Sequence, residues 1–307
     1  DATIFAASIA ILGAGYLNDI PLGELIKDNQ KLLLVDWIED VAKVGVANSI
    51  ICRNAGNCPS CLFCTTGAGR EYCKNFTGEM LAEGICSHYE AATEPFDTCK
   101  NYEPALEPCF IKADVTGGIG RSFAEKIEKA MPACKTAKSA FIKAISLLEK
   151  TQYKRLPIAD NSMELVTSSM VISQFDHEPY TYFSTLLENQ FGREDLIKHE
   201  ARLLPFMEKL RTKLFTHQVE SHVKEMHRIV KKDTKARVYL SAELFRSLGD
   251  SKQFFLVKDM PKALEIIGQY FFYEFADSID EKILRRSEFG GGISINQSYS
   301  LVAKNGL

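Results

Sequence analysis

The chain has 307 residues, 46% of them hydrophobic and 25% charged, with a net charge of −3 at pH 7. That is ample material for a large core, in one elaborated domain or two, and the slightly acidic balance argues against a surface built to coat nucleic acid or adhere to a membrane. No apolar run reaches the ~20 residues a bilayer requires; residues 4–15 are apolar but have no basic segment before them and end in Gly-Ala-Gly, which suits a strand better than a signal peptide.

The first predicted element is that strand, Ser8 to Leu12, whose unbroken Ile, Ala and Leu imply burial on both faces. Gly13-Ala14-Gly15 then lets the backbone turn tightly and come close to a ligand. Pro21 to Asn29 reads as a helix with Asp19 near its start, and Lys31 to Asp36 as a second strand. Asp36 lies 21 positions after Gly15, the separation at which a nucleotide-binding βαβ unit presents an acid to the ribose hydroxyls. Ile38, Val41, Val44, Ala47 and Ile51 share one face of a further helix.

From Arg53 to Pro108 the texture changes to Cys, Gly, Asn, Thr and Glu, with four basic and eight acidic residues, a surface that nucleic-acid backbones do not favour. We read residues 53–108 as an insertion of loops and short helices. The alternating pattern resumes with a strand at Cys109 to Asp114. Val115-Thr116-Gly117-Gly118-Ile119-Gly120 turns into a helix over about Ser122 to Lys150, broken at Pro132. Met163 to Val171 predicts another buried strand. Residues 178–232 read as a helical cap segment interrupted near Gly192 and Pro205. The twelve basic and seven acidic residues between Arg193 and Arg237 are read there as a solvated face. Arg237 to Ser241 and Phe254 to Val257 predict strands, Pro261 to Ala276 a helix, Gly290-Gly291-Gly292 a turn, and Ser298 to Lys304 a closing strand.

Eight of the nine cysteines lie between Cys52 and Cys109, a clustering that suggests metal ligands in a reducing cytoplasm more than a disulfide framework. Cys58, Cys61, Cys64 and Cys73 are the expected ligand set, because thiolates one turn apart can grip one tetrahedral ion. Cys86, His88 and Cys99 could replace one of them or build a second site. Structural zinc is favoured over an iron–sulfur cluster, whose spacing to a fourth ligand is less natural here, and over unligated thiols. Cys109 and Cys134 are expected to be buried core thiols. His217, His222 and His227 recur every five residues, about 140° apart on a helix, so they share no face and are read as surface or core histidines.

In combination these stretches resemble the class I S-adenosylmethionine-dependent methyltransferases. Ile11 to Gly15 is similar to their glycine-rich first motif, Asp36 to the ribose-binding acid with Trp37 beside it, and Asp114 with Val115 to the acid after the third strand that contacts the adenine. Leu156-Pro157-Ile158-Ala159-Asp160-Asn161-Ser162-Met163-Glu164-Leu165-Val166 is similar to the run that leads into the fourth strand. Leu17 and Asn18 stand where the first motif carries its third glycine, and Glu164 replaces an Asp.

The resemblance implies an α/β fold with a doubly wound, mostly parallel seven-stranded sheet over residues 1–52 and 109–307. It implies S-adenosyl-L-methionine as cofactor, held by Gly13, Ala14, Gly15, Tyr16, Asp36, Trp37, Asp114, Val115, Ser168 and Ser169. Ser168, Ser169, Met170, Gln174 and Asp176 are expected near the methyl group, with His177 the candidate base. A small-molecule or protein acceptor is preferred, and the insertion is a candidate surface for a protein partner. Two alternatives remain open: a non-catalytic zinc-containing scaffold, and a nicotinamide-dependent oxidoreductase, which Asp114 and the Leu156–Val166 run fit less well.

Overall fold

The computed structural model describes residues 8–14, 31–36, 109–233, 235–247, 254–256, 259–278 and 294–306. They fall into two compact units, one within Asp1–Ala113 and Ser162–Ser169, the other within Asp114–Asn161 and Met170–Leu307. The expected helices at Pro21 to Asn29 and Ile38 to Cys52 and the insertion at 53–108 lie outside the described residues.

The first unit holds four strands: β1 (Ser8–Leu12), β2 (Lys31–Asp36), β3 (Cys109–Lys112) and β4 (Leu165–Ser169). All its pairings are parallel, in the order β3-β2-β1-β4. Ile11 of β1 faces Leu34 on one side and Thr167 on the other. A central parallel strand must be apolar on both faces, and Ile9, Ala10, Ile11 and Leu12 are each at most 1% exposed. The chain steps outward from β1 to β2 to β3, then returns to β1's other side as β4. That reversal creates a topological switch point between β1 and β4, where sheets of this kind bind ligands at the carboxyl ends of their strands. Ser8 anchors the entry to β4: its carbonyl accepts from Glu164 N (2.8 Å) and its Oγ donates to the Ser162 carbonyl (2.7 Å). Cys109 is exposed at the start of β3, not buried as expected. β3 pairs only with β2 among the described strands, so it lacks the double cover that buries β1.

The second unit opens with α1 (Ile119–Ala130), a 3-10 turn at Met131–Ala133, and α2 (Ala137–Glu149). The break falls at Pro132 as predicted, and α2 restarts on a capping box in which Thr136 and Ser139 satisfy each other's backbone N–H. α3 (His177–Phe191), α4 (Arg193–Lys198) and α5 (Glu200–Ile229) follow. Phe123 of α1 and Phe141 of α2 pack tilted and edge-on against Phe183 of α3, at ring separations of 6.3 and 5.1 Å. Leu203, Leu210 and Leu214 of α5 close the same core. Gly192 separates α3 from α4 as predicted, but Pro205 does not interrupt α5; the break comes earlier, at His199. A proline inside a helix costs about 3 kcal/mol. Bending the chain there would unseat Leu203 from the face it shares with Leu210 and Leu214, each contributing ~1.5–3 kcal/mol by burial. Cys134 is buried in this core, as expected.

Beyond α5 run β5 (Arg237–Ser247), β6 (Phe254–Leu256), α6 (Met260–Tyr270), β7 (Phe271–Ser278) and β8 (Ser294–Ala303). Their order is β5-β8-β7, antiparallel, with β6 added on β5, so eight strands are described in all. The helix expected over Pro261 to Ala276 stops at Tyr270. The aromatic run that follows fits a helical period in sequence, but it favours a pleated strand and forms a ladder with β8, Phe271 facing Ala303 and Tyr273 facing Leu301. Arg237 reaches across β8 to grip both carboxylate oxygens of Glu274 of β7 through Nε and Nη2, at 2.5 and 2.7 Å.

Candidate functional site

In the first unit the site is built at the carboxyl ends of β1, β2 and β4. Leu12 ends β1 and Gly13 takes φ +69°, a left-handed conformation that costs other residues about 1–2 kcal/mol. The N–H groups of Gly13 and Ala14 both donate to the Val35 carbonyl, at 2.8 and 3.2 Å, so the bend is tied to the end of β2 beside Asp36. The Asp36 carbonyl accepts from Ala113 N at 3.0 Å, and its side chain is half-buried. Across the switch point, β4 ends in buried Ser168 and half-buried Ser169. The structure thus brings Gly13, Ala14, Asp36, Ser168 and Ser169 to one edge of one sheet. Gly15, Tyr16 and Trp37, and the proposed ligands Cys58, Cys61, Cys64 and Cys73, lie outside the described residues.

In the second unit the half-buried Asp114 begins a tight turn. Its Oδ1 accepts from the Thr116 N–H (2.8 Å) and hydroxyl (2.6 Å), and its carbonyl accepts from Gly117 N (2.9 Å). Oδ1 thus shapes the turn. The Val115 carbonyl lies 3.0 Å from Nδ1 of His222, on α5. His222 is wholly buried, and burial pulls its pKa down to about 4 against the opposing influence of Asp114 and Glu225. The ring is therefore neutral at pH 7. Because a carbonyl only accepts, Nδ1 carries the proton. His227 bonds the Lys304 carbonyl through Nε2 at 2.8 Å. Both histidines thus hold backbone. Among the described residues no group of three His, Cys, Asp or Glu side chains could hold a metal ion.

Met170 follows Ser169 in a left-handed conformation, φ +59°, with its N–H directed at the Ser241 carbonyl (2.9 Å) and hydroxyl (3.2 Å). Such a backbone in a non-glycine residue is strain that its surroundings must impose, and it ends β4 two residues before the expected Val171. His177, the candidate base, is exposed in the first turn of α3. Asp176 beside it is engaged by Arg211 at 2.8 and 2.9 Å, and Gln174 is exposed. Asp160 bonds Arg228, which holds its carboxyl below the usual range.

Sequence reasoning missed Thr116 and the polar face of α5: Gln218, His222 and Glu225. The available signal was polar residues at helical spacing in a segment otherwise rich in buried Leu, Val and Met.

No protein-family model matches the chain, and no curated protein matches it. Among solved structures, the PH0226 protein from Pyrococcus horikoshii OT3 aligns at 10% identity over 99% of this chain and 84% of that one, with a TM-score of 0.38. A structure described as an antibiotic related methyltransferase aligns at 9% identity over 96% and 87%, TM-score 0.32. A complex containing the Haloferax volcanii Trm112 methyltransferase activator aligns at 10% identity over 98% and 85%, TM-score 0.33.

Proposed function

We propose that the chain is an S-adenosyl-L-methionine-dependent methyltransferase acting on a small-molecule or protein acceptor. The observation that carries this reading is the pairing of the Gly13 bend with the end of β2: two N–H groups of the turn close on Val35, one residue before the acid. A glycine bend and a carboxylate held side by side at a switch point are the elements that receive an adenosine and its ribose. The donor set fits the cofactor. Asp36 would accept the two ribose hydroxyls, Asp114 Oδ2 the adenine amino group, and Val115 would pack on the base. The backbone of Gly13, Ala14 and Gly15 would leave room for the methionine moiety. Tyr16 and Trp37 complete the proposed shell.

When bound, the cofactor supplies an electrophilic methyl group on a sulfonium, passed in line to the acceptor's lone pair. The protein's task is then alignment and exclusion of water, which Ser168, Ser169 and Met170 would serve at the end of β4. Where the acceptor carries a proton, His177 would receive it. We further propose that Cys58, Cys61, Cys64 and Cys73 bind structural zinc and that the insertion docks a protein partner.

Calorimetric titration with S-adenosyl-L-methionine tests the reading. The native chain should bind it, and Asp36→Ala, losing charge-assisted bonds of about 1.5–3 kcal/mol each, should bind at least a hundredfold more weakly. A native protein that takes up no cofactor, or a variant of unchanged affinity, would reject it.

A further inference from the structure

Gln218, His222 and Glu225 lie on one face of α5 and are buried, at 2%, 0% and 0% exposure. Polar groups sealed from water are costly unless hydrogen-bonded, and apolar side chains would fill the same stripe without that penalty. Each of the three bonds the backbone of a loop. Gln218 Nε2 donates to the Phe175 carbonyl at 2.6 Å. His222 Nδ1 donates to the Val115 carbonyl at 3.0 Å. Glu225 Oε2 accepts from the Leu156 N–H at 2.8 Å. Arg228 extends the stripe by one turn, donating to the Ile158 and Leu156 carbonyls at 2.7 and 3.0 Å while holding Glu225 at 2.6 Å.

The three loops are not arbitrary. Val115 follows Asp114; Phe175 precedes Asp176 and His177; Leu156 opens the run that leads toward β4. Two of them are also joined to each other, since Lys154 N donates to the Gly117 carbonyl at 2.8 Å. Among the described residues none of these three loop groups belongs to a helix or strand ladder, and α5 supplies their hydrogen-bond partners.

We propose that the polar stripe of α5 is a positioning rail for the binding loops, with His222 the positioning residue that sets the Asp114–Val115 turn. The link to the cofactor rests on the assignment of Asp114 to the adenine. His222 touches no ligand in this scheme; it acts through the Val115 carbonyl.

The test compares His222→Leu, which keeps bulk and removes the donor, with His222→Asn, which restores an N–H near the position of Nδ1. Two readouts are taken on the full chain: affinity for S-adenosylhomocysteine, and backbone hydrogen exchange of peptides spanning 113–118 and 172–178. His222→Leu should weaken affinity about tenfold or more and speed exchange in 113–118 but not in 172–178, and His222→Asn should restore both. Unchanged exchange in 113–118, or a weakened affinity that Asn does not rescue, overturns the proposal. If the native chain binds no S-adenosylhomocysteine, the functional reading fails, and the exchange comparison still decides whether α5 sets the turn. Should His222→Leu not fold, Gln218→Leu is read in the same way on 172–178, where unaltered exchange would reject the rail.

Discussion

His222 shows what one buried side chain does to the behaviour of the whole chain. Its pKa falls to about 4 because burial penalises the charged ring. In the unfolded chain it titrates near 6.5. Between those two values the unfolded state binds more protons, so stability falls as pH falls. The loss amounts to about 3 kcal/mol once pH is below both. His227, also shifted down by burial, adds in the same direction. We expect urea midpoints to drop between pH 6.5 and 4, and to drop less steeply in His222→Asn, which has no proton to gain. An identical slope in the variant would show that the ring is not sealed. Nothing in the sequence announces this, since His217, His222 and His227 look alike at five-residue spacing, and only packing makes one of them wholly dry.

At the scale of elements, the chain entering α1 and the chain leaving α2 meet at one point, where Gly117 lies against Tyr153 and Lys154. Gly117 and Gly118 are both left-handed, at φ +68° and +76°, yet their surroundings differ. A Cβ at Gly117 would meet Ser221 Oγ and Tyr153 Cβ at 2.8 Å and the Lys154 carbonyl at 3.0 Å; at Gly118 it would meet nothing within 4 Å. Gly118→Ala should therefore cost about 1 kcal/mol, the left-handed strain alone. Gly117→Ala adds overpacking and should cost about 3 kcal/mol or more. Chemical denaturation of the two variants checks this; equal losses would mean that the loop base is loose. The glycines were visible as a turn in the sequence. Which of them is crowded depends on Tyr153 and Lys154 and, a hundred residues downstream, on Ser221 of α5. A partner distant in sequence likewise decides between the two readings of Phe271 to Ala276: local apolar spacing allows a helix, and β8 makes it a strand.

At the scale of the whole molecule, the functional proposal joins a nucleotide-binding sheet edge to a cysteine-rich insertion. If the four thiolates hold zinc, the metal replaces the apolar core that such a polar segment lacks. Elemental analysis of protein purified without oxygen should then find about one zinc per chain, and chelation should loosen the insertion at lower denaturant than the strands. Metal-free protein with an intact, compact insertion would remove the zinc reading. Among the described residues no helix is long and apolar enough to cross a membrane.

The sequence by itself determined β1, β2, the Gly13 bend and the acid at Asp36. These are local statements: continuous apolar runs make buried parallel strands, and glycine is the favoured residue where φ turns positive. It also determined the helix break at Pro132 and at Gly192, because proline and glycine act on their own backbone. Tertiary structure alone decided the rest. It carried α5 straight through Pro205, because three leucines share one core. It ended α6 at Tyr270, because β8 offered a ladder. It turned Gln218, His222 and Glu225 from ordinary helix residues into the groups that hold Phe175, Val115 and Leu156, because what a buried polar side chain bonds to is set by what the fold brings beside it.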